Sequence, residues 1–108
     1  MVDRKIFEDA AQAERTVRIT YTDVKGDTSV RNVEPYEIRG NKLWAYCRKK
    51  KGIRQFDMNK IEKAKQTQYV YLPKWDIKMN DGLEKKASFY TNPLKDMLFG
   101  EYEKAPLE

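Results

Sequence analysis

A chain of 108 residues is long enough for one domain with a modest core and too short for two. Charged residues make up 36% of it and the net charge is +5, yet seven Tyr, four Phe and two Trp argue against disorder. It has no histidine and a single cysteine, Cys47. That excludes a Ser-His-Asp or Cys-His site, zinc held by histidine or by four cysteines, and an intramolecular disulfide.

No compact acidic cluster suggests Mg²⁺, so neither metal nor cofactor is expected, and the reading is non-enzymatic. No apolar run approaches the ~18 residues that span a bilayer, and the start Met1-Val2-Asp3-Arg4-Lys5 lacks a signal-peptide core. The expected setting is the cytoplasm, a reducing compartment, with no membrane partner.

In chain order, residues 3–14 read as an amphipathic helix. Asp3 is its cap, and Ile6, Phe7, Ala10, Ala11 and Ala13 form its apolar stripe. Thr16 to Tyr21 alternates with period two, placing Val17, Ile19 and Tyr21 on one face of a first strand. Asp23 to Asp27 is turn chemistry with Gly26 at its tip. A second strand, Thr28 to Val33, is expected to be interrupted at Glu34-Pro35-Tyr36, because proline cannot donate to a ladder.

After Gly40-Asn41, a third strand splits by parity. Leu43, Ala45 and Cys47 face one way, and Trp44, Tyr46 and Arg48 the other. Lys49, Lys50, Lys51 and Gly52 form a loop before a fourth strand, Ile53 to Asp57. Met58 to Lys65 reads as a short helical turn, and Tyr69 to Leu72 as a fifth strand ended by Pro73. In the tail, Asn92-Pro93 has the form of a helix start, with Leu94, Met97 and Leu98 at helical spacing and Gly100 as a stop. Pro106-Leu107-Glu108 reads as a frayed end whose Leu-Glu has the form of a cloning remnant.

The fold class expected is therefore mainly β. It is a small five-stranded SH3/Sm-like barrel (16–73) with an N-terminal helix (1–15) and a C-terminal extension carrying a short helix (74–108).

Charge is concentrated rather than spread. Residues 39–65 hold ten Lys/Arg against two acids, Asp57 and Glu62, so this segment carries +8 and the rest of the chain −3. Such a stretch raises the local density of anionic partners, or it is simply a solvated face. Trp44, Tyr46 and Arg48, beside Lys49, Lys50, Lys51 and Arg54, combine aromatic faces with positive charge. Single-stranded nucleic acid is held by those two ingredients. The competing readings place Trp44 in the core and bury the Tyr46 ring with its hydroxyl at a rim. Arg54 and Phe56 share parity, so either a bulge intervenes or Arg54 is partly buried and paired, with Asp57 or Glu37 the nearest acids in sequence.

Several of these pieces together resemble a WYL domain over residues 16–67. They are Tyr21, the Gly26 turn, Val33-Glu34-Pro35-Tyr36 leading to Ile38, Leu43-Trp44-Ala45-Tyr46-Cys47, and Arg54-Gln55-Phe56 followed by Lys60-Ile61. The Trp-Tyr-Leu triplet that names the family is not intact here: Asn41 and Lys42 precede Leu43. Lys60 stands where arginine is commoner, a point charge in place of a planar fork. Residues 1–15 hold at most one helix, so the helix-turn-helix usual in the family is not seen, as in a stand-alone sensor of a phage-like genome.

The resemblance implies a Sm/SH3-like barrel that binds a negatively charged, often nucleic-acid-derived ligand. Arg54 and Lys60 are its anion contacts, Tyr46 and Arg48 follow, and Arg31 is a weaker candidate. Two functions are thus expected. One is a transcription-regulatory sensor binding single-stranded nucleic acid or a nucleotide-like anion. The other is a protein-interaction adaptor or homo-oligomerising module.

Overall fold

The computed structural model describes residues 2–79, 84–85 and 105–108. The helix expected over 92–100 lies outside them. One helix, α1 (Arg4–Ala13), precedes a sheet of β1 (Arg15–Thr22), β2 (Thr28–Arg39), β3 (Lys42–Cys47), β4 (Gly52–Asp57) and β5 (Ile61–Val70). A 3-10 turn, Met58–Lys60, joins β4 to β5, and two short strands follow, β6 (Ile77–Lys78) and β7 (Glu84–Lys85). The main path runs β4-β3-β2-β1-β5, antiparallel throughout, while β6 pairs in parallel with β2 at Glu37 and antiparallel with β7.

The helix forms as its cap and stripe require. The Asp3 carboxylate accepts from the Lys5 N–H, and Phe7, Ala10 and Ala11 are fully buried, whereas Ala13 is exposed. Glu14 ends it in the left-handed region at φ 55°, its N–H reaching the carbonyls of Ala10 and Ala11. Val17, Ile19 and Tyr21 on β1 are all buried, as their alternation dictates. Gly26 adopts φ 89° in a turn where the Asp23 carboxylate accepts from the N–H groups of Lys25 and Asp27.

Three expectations are corrected. β2 is not interrupted at Pro35: it runs to Arg39, and the ladder with β3 shifts register between Pro35 and Glu37. The irregularity absorbs the missing donor locally and lets the strand continue. The helical turn shrinks to Met58–Lys60, because Ile61 onward pairs with β1, placing Ile61 opposite Tyr21 and Lys65 opposite Arg18. The sheet is also open. Among the described residues no ladder joins β4 to β5, and the outer edge of β4 instead meets residues 106–108 through a parallel bridge of Gln55 with Leu107.

The inner face of the sheet packs on α1 and on the T-shaped pair Tyr21–Phe56, whose ring centroids are 5.0 Å apart. The other face of β2 and β3 is covered by Tyr71 and Trp75, which stack edge-on against Tyr36 at 5.7 and 5.3 Å. The Tyr71 hydroxyl donates to the Pro35 carbonyl at 2.7 Å, and Tyr36 accepts from the Lys74 N–H. With the core on one face and this aromatic layer on the other, Leu43, Trp44 and Ala45 are buried in succession despite their alternating directions, and Cys47 is buried too.

Candidate functional site

The inner face of β2 carries Arg31 opposite Ile19 and two residues from Val33, so its side chain enters the core layer rather than solvent. Only 5% of that side chain is exposed. Its Nε donates to the Ser29 hydroxyl at 3.1 Å, and the guanidinium carbon lies 6.0 Å from the centre of the Phe56 ring. A guanidinium in such surroundings needs an anion, because its desolvation is otherwise uncompensated. That anion is the Glu108 carboxylate, whose Oε1 accepts from Nη1 of Arg31 at 2.5 Å. Burial opposes the charge on Arg31, but the hydrogen bond and charge of Glu108, with Cys47 beside them, outweigh it and hold the group above its ordinary range.

Arg54 reaches the same oxygen. Its Nε lies 3.6 Å from Oε1 of Glu108, with a quarter of the side chain exposed. The ladder of β3 with β4 is regular, pairing Ala45 with Arg54 and Leu43 with Phe56, so no bulge separates Arg54 from Phe56. Arg54 is partly buried and paired, with Glu108 rather than Asp57 or Glu37. Asp57 faces Lys42 at 3.7 Å, and Glu37 pairs with Arg39. Gly52, two residues before Arg54, leaves room for the guanidinium: a Cβ there would sit 2.9 Å from Nη1.

The backbone around Glu108 is held as firmly as its side chain. The Gln55 N–H donates to the Pro106 carbonyl and the Glu108 N–H to the Gln55 carbonyl, both at 2.8 Å. Nε2 of Gln55 donates to the Ala105 carbonyl at 2.7 Å. The Tyr21 hydroxyl donates to the Glu108 main-chain oxygen at 2.5 Å and accepts from the Asp57 N–H at 3.0 Å. Residues 105–108 are therefore docked, correcting the expectation of a frayed end. Two guanidinium groups on one oxyanion, beside a phenol and the outer edge of β4, form a recognition geometry for carboxylate or phosphate.

The other predicted residues do not converge here. Arg48 binds a buried carboxylate instead: its Nε is 3.1 Å from Glu34, and Nη2 donates to the Val70 carbonyl at 3.0 Å. The stacking role expected of Trp44 is corrected. It is 6% exposed, with the Arg39 guanidinium 4.8 Å over its ring. Tyr46 is half-buried against Trp75, and its ring lies under the Lys74 ammonium at 4.3 Å. Lys49, Lys50 and Lys51 are exposed at the β3–β4 tip. Lys60 is half-buried on the 3-10 turn.

The basic run is thus not one patch. Arg39, Lys42, Arg48 and Arg54 meet carboxylates, and Lys63 and Lys65 lie on β5, at the opposite end of the strand order from β4. Glu108, Gln55 and the Tyr21 hydroxyl escaped the sequence reading, since nothing in their spacing links them to Arg54. Among the described residues no cluster of acids or cysteine could hold a metal ion, and no helix is long and apolar enough to cross a membrane.

Comparison with known proteins adds three findings. The family model described as WYL domain matches residues 5–66, more than half of the chain. A search of curated proteins finds no match. Among solved structures, the proteasome accessory factor B/C (PafBC) of Arthrobacter aurescens is similar, with a TM-score of 0.55 and 23% identity. The similarity covers 59% of this chain and 11% of that one. At this identity it bears on the fold alone, and the chain matches only a small part of that protein.

Proposed function

Because the chain belongs to the WYL-domain family, we propose that it is a non-enzymatic regulatory sensor module, acting in the cytoplasm, that binds an anionic ligand through Arg31 and Arg54. The ligand class is single-stranded nucleic acid or a nucleotide-like anion, with Lys60 and the lysines of the β3–β4 tip as outer contacts. The observation that carries this reading is the convergence of a buried and a half-buried guanidinium on a single oxyanion. A phosphate oxygen has the charge and acceptor geometry to take that place. A five-stranded SH3/Sm-like arrangement, in an open form, belongs to the same proposal.

The test is fluorescence anisotropy with short labelled single-stranded DNA and RNA and a duplex control, titrated across salt. Affinity should fall with salt at a log–log slope of about −0.7 per phosphate neutralised. Arg54→Ala and Lys60→Ala should both weaken it, and unchanged affinity in Arg54→Ala sinks the site.

A second reading, a protein-interaction adaptor or homo-oligomerising module, draws on the exposed Tyr69, Val70 and Leu72 at the end of β5 and just beyond. It expects concentration-dependent oligomers by analytical ultracentrifugation and no salt-sensitive oligonucleotide binding.

A further inference from the structure

We infer that the outer edge of β4 is a docking groove for an extended acidic segment, and that residues 105–108 fill it as an internal ligand that must leave before an external anion reaches Arg31 and Arg54. The competition rests on the anion-binding reading above; the docking groove does not.

Three independent kinds of contact define the groove. The first is strand addition. Gln55 uses both its backbone groups, its N–H donating to Pro106 and its carbonyl accepting from Glu108, around the parallel bridge to Leu107. The second is side-chain reading of the backbone, with Gln55 Nε2 on the Ala105 carbonyl and the Tyr21 hydroxyl on the Glu108 main-chain oxygen. The third is charge, since the Glu108 carboxylate sits on Arg31 and leans on Arg54. Ala105 is buried, while Pro106 and Leu107 are exposed. Affinity therefore comes from the backbone and the carboxylate rather than from an apolar anchor.

Such an edge would otherwise present unpaired backbone groups to any neighbouring strand. Occupying it with a segment of the same chain protects the edge and neutralises the buried arginine at once. The strap leaves the anion site empty only when it lifts. Because its contacts are mostly polar and confined to β4 and to the side chains of Tyr21 and Arg31, lifting is a local event separable from unfolding.

The experiment uses the full chain and its Glu108→Gln and Glu108→Lys variants. Amide hydrogen exchange is read at Gln55, with Ile19 in β1 as internal reference, and anisotropy is measured with a labelled oligothymidylate. Loss of the carboxylate should speed exchange at Gln55 about tenfold, the factor one charge-assisted hydrogen bond supplies, and the lysine should speed it more. Ile19 should not change, and oligothymidylate should bind the variants more tightly. Unchanged exchange at Gln55 in both variants overturns the groove. Equal acceleration at Ile19 overturns the strap as a separable element. Faster exchange with unchanged oligonucleotide affinity overturns the competition. Faster exchange with no oligonucleotide binding by any form supports the groove and defeats the nucleic-acid reading instead.

Discussion

Replacing Arg31 by methionine separates the ligand-binding role of this residue from any role in holding the fold. The change removes the 2.5 Å contact to Glu108, a charge-assisted hydrogen bond worth about 1.5–3 kcal/mol. It also removes a contact to the Phe56 ring at 6.0 Å, the outer limit of the cation–π range, worth about 0.5 kcal/mol. Against these stands the desolvation of a guanidinium with only 5% of its side chain exposed, a penalty of several kcal/mol that methionine does not carry.

Glu108 is not stranded by the change, because Arg54 remains 3.6 Å away and the carboxylate keeps some contact with water. The opposing contributions leave stability within about 1 kcal/mol of the parent, because the remaining carboxylate keeps a cation and is not left as an uncompensated buried charge. Ligand affinity has no such offset and should fall ten- to a hundredfold, the equivalent of about 1.5–3 kcal/mol. Urea unfolding and oligothymidylate anisotropy measure the two quantities on the same protein. A stability loss above about 3 kcal/mol with affinity intact would refute the reasoning, since Arg31 would then be a structural element.

Three further outcomes follow from the geometry. Arg48→Ala should destabilise the protein by about 1–2 kcal/mol in urea unfolding, because it leaves the buried Glu34 carboxylate without its cation and uncovers the Val70 carbonyl, yet oligonucleotide affinity should not change. Gly52→Ala should displace the Arg54 guanidinium and lower oligonucleotide affinity by roughly threefold, with stability within about 0.5 kcal/mol, as read by anisotropy and urea melts. Burial raises the phenols of Tyr36, Tyr71 and Tyr21 above the ordinary value of 10.0. Stability should then be complete below about pH 10 and fall as pH rises beyond it, because the unfolded chain loses protons that the folded one retains. Ultraviolet absorbance of tyrosinate against circular dichroism checks this, and ionisation of all seven tyrosines before unfolding contradicts it.

Local pattern carried much of the fold. The Asp3 cap and the Phe7-Ala10-Ala11 stripe specify α1, and the alternation of Val17, Ile19 and Tyr21 specifies the inward face of β1. The Gly26 turn is legible in the same way, because each of these signals lies within a few residues of what it determines. Pro35 misled because a proline's missing donor is a local fact, whereas the register shift that absorbs it depends on the partner strand. Trp44 misled for a related reason. Alternation assigns it a face, but only the aromatic layer of Tyr36, Tyr71 and Trp75 and the Arg39 guanidinium decide that this face is covered.

The sequence by itself determined a mainly β domain, resembling a WYL domain and confirmed as one by its family match, and left Arg54 either beside a bulge or partly buried and paired. Tertiary structure alone decided between these and chose the partner. It brought Arg31 from β2 and Glu108 from 54 residues beyond Arg54 in the chain to the same point. It also placed Arg39, Lys42 and Arg48 on separate carboxylates. Charge on a sequence is a sum over neighbours in the chain, but a binding site is a sum over neighbours in space. Strand order, which converts the first into the second, is set by long-range pairing that no local window contains.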